Sequence, residues 1–187
     1  MLKHGKLFKY QILVALLSNS SIIKILSADT LIFKGYRYRC AIGRGGMSID
    51  KREGDGCTPI GRFPLRKVLY RPDRMNKPET ELIVHALEPT DAWCDDPSDK
   101  AYNQLVKLPF PTSHEKLWRN SDIYNLIVVM GHNDNPVIPK RGSAIFIHVA
   151  KPAYTPTQGC IALQQKDLLE ILQTCGAATD IIIPALG

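Results

Sequence analysis

The chain has 187 residues, of which 44% are hydrophobic and 22% are charged, with 24 Lys and Arg against 18 Asp and Glu for a formal net charge of +6. This length suits one domain with its own core, and the composition excludes a largely disordered protein. The basic residues are scattered along the chain rather than gathered in one stripe. The charge therefore does not single out nucleic acid as a partner, and we expect no nucleic-acid binding.

The amino-terminal segment has the order of a secretory signal. Lys3, Lys6 and Lys9 precede a short apolar run at residues 12–17, which serines then interrupt. We assign residues 1–28 to a basic and apolar leader, a candidate export signal, and residues 29–187 to a single domain. No stretch reaches the roughly 20 apolar residues that span a bilayer, so we expect no membrane span.

The first half of the domain has the pattern of short strands. β-Branched and aromatic residues predict strands at 30–33 and 36–42, separated by Gly35, and a third strand at about 63–70. Residues 71–120 contain many prolines and are predicted to be mostly loop, with only 81–87 extended. A loop region of that length inside a small domain usually carries function.

The second half combines buried strands with one helix. Strands are predicted at 126–130, at 143–150 and in the closing "TDIIIPALG", and a helix begins near Gln165, with Asp167 in its first turn and Gly176 as its cap. Alternation along 143–150 places Ile145 and Ile147 on one face and Phe146 and His148 on the other. The fold class is therefore mainly β with a C-terminal helix, in a mixed sheet or barrel.

Cys160 lies on a turn in "TPTQGCIAL", where Pro156 restricts the backbone and Gly159 frees it. The residue pattern alone leaves two interpretations, a small residue that fills a bend or a nucleophile exposed to a cleft. His148, twelve residues upstream at the end of a strand, favours the second interpretation because an imidazole can take the thiol proton. A core histidine bonded to the backbone remains the alternative for His148. Backbone N–H groups near Gly159 would hold the oxyanion.

The remaining histidines and cysteines carry weaker signals. His132 in "GHND" follows a strand end and is a candidate substrate contact, with turn chemistry as the alternative. Its spacing to Asp134 and His148 fits no metal-ligand pattern, so we expect neither a metal nor a cofactor. Of the five cysteines, Cys40 and Cys94 are candidates for a disulfide if the protein is exported.

Three motifs in this order resemble a known family. "KREGDGCTPIGRFPL" at 51–65, "GSAIFIHVA" at 142–150 and "PTQGCIAL" at 156–163 are similar to the L,D-transpeptidase catalytic domain, the YkuD-like family. The resemblance covers the chain from about residue 30 to its end. It implies a β-sandwich-like fold and a catalytic domain at 29–187.

The resemblance also implies a reaction and a set of roles. Cys160 corresponds to the nucleophile that is acylated by the third residue of a peptidoglycan stem peptide, and His148 to the proton acceptor and donor. The backbone carbonyl of Val149 would orient the imidazole, and Gly159 would contribute an oxyanion contact. A side-chain amine of a second stem would then take the acyl group, giving a 3-3 cross-link in the periplasm or cell envelope. We assign Thr157 and Gln158, with His132, to substrate contacts.

Two positions depart from the family pattern. Val149 stands where the family usually has glycine after its histidine, and Ala162 stands where it has arginine two residues after its cysteine. The loss of that arginine removes a cationic contact. Two alternatives therefore stay open beside the transpeptidase: a hydrolase or L,D-carboxypeptidase acting on the same stems, and a non-catalytic envelope-binding domain of the same fold.

Overall fold

The computed structural model describes residues 21–185, and the structural statements below concern that part of the chain. The lysines and the apolar run of the predicted export signal lie outside the described residues. Within residues 21–185 the structure is mostly β with one α-helix, which confirms the predicted fold class. No helix within residues 21–185 has the length and apolar character needed to cross a membrane.

In the described part of the chain, most strands belong to one nine-stranded mixed sheet, and two smaller sheets accompany it. The order in the large sheet is β11-β12-β13-β3-β2-β1-β14-β6-β7, and a further pairing of β6 with β11 closes the sheet on itself. A three-stranded sheet has the order β10-β8-β9, and β4 pairs with β5. The strands are β1 (Ile22–Ser27), β2 (Thr30–Phe33), β3 (Tyr36–Ala41), β4 (Met47–Ser48), β5 (Thr58–Pro59), β6 (Gly61–Tyr70), β7 (Ile83–Ala86), β8 (Asp91–Cys94), β9 (Leu105–Lys107), β10 (His114–Lys116), β11 (Leu126–Met130), β12 (Phe146–Val149), β13 (Ile161–Leu163) and β14 (Asp180–Ile183).

β12 separates two hydrophobic clusters. Ile145, Ile147 and Val149 belong to the larger cluster, which the closed sheet and the helix α1 (Gln165–Leu172) enclose. Phe146 belongs to the second cluster, which packs between the outer face of the sheet and the three-stranded sheet. The predicted alternation along this strand is thus confirmed, because successive side chains of a strand point to opposite faces. His148 therefore points toward the second cluster.

The second cluster depends on the three-stranded sheet, which the sequence did not reveal. Residues 71–120 were predicted to be mostly loop, yet β8, β9 and β10 lie there. Their three or four residues are too few to show a periodic pattern, and all four residues of β8 are buried, so it has no polar alternation. This sheet forms one wall of the cavity described below.

Two boundaries also differ from the prediction. Ile22–Ser27, inside the predicted leader, forms β1, which pairs with β2 and β14, so the domain begins no later than Ile22. The helix ends at Leu172, with Gln173 at the cap position, rather than at Gly176. The Gly176 N–H instead donates to Thr179 Oγ1 in the turn before β14.

The contribution of β1 to the free energy of unfolding can be measured directly. Ile25 is 0% exposed in the larger cluster, whereas Lys24 faces solvent on the other side of the strand. Ile25→Ala should lower the free energy of unfolding by about 3 kcal/mol because it leaves a cavity in the core. Lys24→Ala should change it by less than about 0.5 kcal/mol. Urea unfolding of both variants makes the comparison, and equal stabilities would show that β1 is not part of the folded unit.

Candidate active site

A cavity of about 1020 Å³ opens where the three sequence motifs meet. Its wall includes His148 and Ala162 on neighbouring strands, and Cys160 on the turn that precedes β13. The cavity also contains Thr157 and Gln158, two of the predicted substrate contacts. The fold thus brings four of the predicted site residues into one space.

The register of two parallel strands explains why His148 and Cys160 share this space. His148 on β12 lies opposite Ala162 on β13, and Ile147 lies opposite Ile161. Because residues two apart in a strand share a face, Cys160 and Ala162 lie on the same face of the sheet as His148. The small, buried Ala162 occupies the position directly beside the imidazole.

The turn before Cys160 requires glycine at position 159. Gly159 has a φ of +133°, and a Cβ on this residue would lie 2.8 Å from the Cys57 carbonyl oxygen. The buried Thr58 hydroxyl donates to the Gly159 carbonyl oxygen at 2.9 Å, and it accepts a hydrogen bond from the Gly43 N–H at 2.9 Å. The segment at 51–65 therefore fixes the backbone of the cysteine turn.

Thr157 holds the same turn from inside. Its hydroxyl donates to the Cys160 carbonyl oxygen at 2.6 Å and accepts from the Gly159 N–H at 3.1 Å. Thr157 was predicted to contact the substrate. It lines the cavity, but its hydroxyl is used in these two hydrogen bonds within the turn. The Gly159 N–H, predicted to hold an oxyanion, is already bonded to Thr157, so that role would require this bond to open.

Cys160 is a buried thiol in this conformation, with 8% of its surface exposed. Its Sγ–H donates to the Ala144 carbonyl oxygen at 3.2 Å, and Sγ accepts from the Phe146 N–H at 3.4 Å. Burial raises the pKa of the Cys160 thiol to about 12, and the nearby Glu115 carboxylate adds to the effect. The thiol is therefore neutral near pH 7.

The two ring nitrogens of His148 differ: one bonds to the backbone, and the other keeps a free lone pair. Nδ1 lies 2.9 Å from the Val149 carbonyl oxygen, the contact that we predicted. Because a carbonyl can only accept, Nδ1 carries the proton and Nε2 keeps its lone pair. Burial lowers the pKa of His148 to about 4, so the imidazole is neutral near pH 7 and can act as a base.

A cluster on the opposite wall was missed by sequence reasoning. The Tyr124 ring contacts the His148 ring edge to face, with centroids 5.5 Å apart. The Tyr124 hydroxyl donates to Glu115 Oε1 at 2.8 Å, and Arg119 pairs with the same oxygen at 2.6 Å. Burial raises the pKa of Glu115 despite these contacts. Glu115 and Arg119 lie in the proline-rich region at 71–120, which was the only sequence signal for them, and Tyr124 follows that region without a signal of its own.

His132 is not among the residues that line the cavity, although it was predicted to contact the substrate. Its Nε2 lies 3.0 Å from the Arg141 carbonyl oxygen, and its ring packs edge to face against Phe63. Asp134 forms an ion pair with Arg66. The turn interpretation thus accounts for this segment. Among residues 21–185, no group of three His, Cys, Asp or Glu side chains is placed to hold a metal ion.

The candidate disulfide between Cys40 and Cys94 is absent. All five cysteines lie within the described residues, and each of them is a free thiol. Cys40 is in β3 of the large sheet and Cys94 in β8 of the three-stranded sheet. Both side chains are buried in separate parts of the fold, which is why they do not meet.

The chain matches a known protein family. The family model of YkuD, the L,D-transpeptidase catalytic domain, matches residues 11–183. This range includes the cysteine turn, both strands beside it and the three-stranded sheet. No curated protein sequence matches the chain.

The buried, neutral His148 should make stability depend on pH. An unfolded chain binds a proton at this histidine near pH 6.5, whereas the folded protein binds it only near pH 4. As the pH falls through that window the unfolded state takes up more protons, so the fold loses stability. Between pH 7 and pH 5 wild type should lose about 2 kcal/mol more than His148→Gln. Urea unfolding at the two pH values measures this difference, and parallel losses would contradict the neutral, buried state.

Proposed function

Because the chain belongs to the L,D-transpeptidase catalytic domain family, we propose that it is a cysteine acyltransferase acting on peptidoglycan stem peptides. Cys160 is the nucleophile and His148 the general base and acid. The observation that carries the proposal is that a thiol and an imidazole with a basic nitrogen lie on the same side of adjacent strands and line one cavity.

The acylation step begins from two neutral groups. His148 Nε2 takes the proton of the Cys160 thiol, and the sulfur forms a bond to the carbonyl carbon of the third stem residue. The bond from that carbon to the nitrogen of the terminal D-alanine then breaks, and His148 returns the proton to the leaving amine. Tyr124 and Val149 hold the imidazole from two sides during this exchange.

The thioester is resolved by an amine. The side-chain amine of a second stem attacks the thioester carbon, the bond from carbon to sulfur breaks, and the amine proton passes through His148 back to sulfur. The product is a 3-3 cross-link. Because peptidoglycan lies in the cell envelope, the proposed reaction places the protein there. Water in place of the amine would give hydrolysis.

The charges of the cavity support an anionic substrate. Arg44 lines the cavity, and among residues 21–185 its guanidinium has no hydrogen-bond or ion-pair partner. Lys51 also lines the cavity, but its ammonium is bonded to Asp55. Of these two cations, Arg44 is therefore the better candidate for a carboxylate of the stem, in a site where Ala162 offers no charge. This assignment gives the donor stem a contact from Arg44, which precedes the motif at 51–65, rather than from β13.

A carbapenem tests the nucleophile, because the family reaction implies that its strained amide acylates the thiol. Wild type should gain the mass of one carbapenem, and Cys160→Ala should gain none. Cys57→Ala is the matched control, since it removes a more exposed thiol that does not line the cavity, and it should label like wild type. An unmodified mass for folded, reduced wild type would overturn the proposal.

The acyl acceptor is tested with a stem tetrapeptide. Transfer predicts that addition of a second stem with a free side-chain amine yields a cross-linked dimer and free D-alanine in equal amounts. Release of D-alanine at the same rate without any dimer would identify a hydrolase. Binding of the tetrapeptide by wild type and Cys160→Ser alike, with no turnover by either, would identify a non-catalytic binding domain. Liquid chromatography with mass detection separates these outcomes.

A further inference from the structure

The segment at residues 93–103, "WCDDPSDKAYN", contributes Asp95 to the cavity wall and takes no part in the proposed reaction. It begins in β8 and ends at Asn103. Its two ends meet, because Trp93 Nε1 donates to Asn103 Oδ1 at 3.0 Å. The segment that it supports is residues 142–144, which precede β12 and contribute Ser143 and Ala144 to the cavity.

Tyr102 fixes the first part of that supported segment. Its hydroxyl accepts a hydrogen bond from the Gly142 N–H at 3.1 Å and donates to the Glu53 carboxylate. The hydroxyl of Ser143 donates to the same Glu53 oxygen at 2.7 Å. The side chains of Tyr102 and Glu53, from two other parts of the chain, therefore set the positions of residues 142 and 143.

Asn103 fixes the next residue, Ala144. The Ala144 N–H donates to Asn103 Oδ1 at 3.1 Å, in addition to the bond from Trp93. Asn103 Nδ2 donates to the carbonyl oxygens of His132 and Asn133 at 3.0 and 2.8 Å. With 6% of its surface exposed, Asn103 uses all four hydrogen bonds that an amide side chain can make. Such a saturated buried amide is rigid.

Ala144 has a backbone conformation that alanine rarely adopts. Its φ is +52°, in the left-handed region, and this conformation persists only where the surroundings impose it. The same residue presents its carbonyl oxygen to the Cys160 thiol at 3.2 Å, and Phe146, two residues later, presents its N–H to the sulfur. Both hydrogen-bond partners of the thiol thus depend on the path of the backbone at Ala144.

We propose that Asn103 is a positioning residue for the Cys160 nucleophile. It holds Ala144 in the left-handed conformation, so that the Ala144 carbonyl and the Phe146 N–H fix the sulfur before the reaction begins. This inference rests on the proposed role of Cys160. When the thiol proton moves to His148 Nε2, the Phe146 N–H remains bonded to the sulfur, and no other group changes its protonation.

The functional arm of the test measures carbapenem acylation at rising carbapenem concentrations. Asn103→Ala should lower the saturating acylation rate by roughly 10- to 100-fold, because small displacements of a reacting atom have effects of that size. The half-saturating concentration and the final fraction of labelled protein should not change. Asn103→Asp keeps the oxygen that accepts from Ala144, so it should recover part of the rate.

Thr179→Ala is the matched control for lost stability. Thr179 is a buried polar residue, 1% exposed, that bonds the Gly176 N–H and is not among the residues lining the cavity. This variant should keep the wild-type saturating rate. If Asn103→Ala does not fold, Ala144→Val acts on the same backbone conformation without changing Asn103, and the β-branched residue should produce the same loss of rate.

The structural arm does not require catalysis. The infrared S–H stretching band that disappears in Cys160→Ala should shift toward that of a free thiol in Asn103→Ala, and should stay in place in Thr179→Ala. An unshifted band, or a saturating rate in Asn103→Ala equal to that of wild type, would overturn the inference. If wild type forms no adduct, the proposed function fails, and the band still decides whether Asn103 positions the thiol.

Discussion

The parallel pairing of β12 with β13 is the constraint on which the site depends. A single register sets His148 opposite Ala162 and brings the turn carrying Cys160 to the same face. A slip of one residue would turn His148 into the larger hydrophobic cluster, because neighbouring side chains of a strand alternate between faces. The apolar residues of β12 oppose such a slip, because Ile147 and Phe146 would each leave the hydrophobic cluster in which they are buried.

Burial keeps both reacting groups uncharged in this conformation. The pKa of Cys160 is raised and that of His148 is lowered, and in each case loss of solvent is the main cause. An ion pair between thiolate and imidazolium is therefore not the resting state. The proposed reaction needs proton transfer at the time of attack, and the fold supplies a sulfur held by two hydrogen bonds and an imidazole with a basic Nε2.

The sequence allowed the strands around the cysteine to be predicted, because their patterns are local. Alternation at 143–150 was enough to place Ile147 and His148 on opposite faces, and the position of Gly159 was enough to predict a turn. The opposite wall could not be predicted in this way. Glu115 and Tyr124 reach the site through tertiary packing of short strands and loops, and no periodic pattern marks such residues.

The errors have the same physical origin. β1 was assigned to the leader because a short apolar strand at the edge of an apolar segment looks like a continuation of it, and only its pairing with β2 and β14 distinguishes the two. The cysteines Cys40 and Cys94 were considered as a pair because sequence contains no information on which sheet each one joins.

The place of β14 has a consequence for how the protein forms. This strand comes last among the described elements, and it inserts between β1, the first, and β6. Contacts between distant parts of a chain form slowly, because the loop entropy is lost before the contacts are gained. During synthesis from the amino terminus, residues 180–183 leave the ribosome after every other strand of the described sheet, so β1 cannot be joined to β6 through β14 before then.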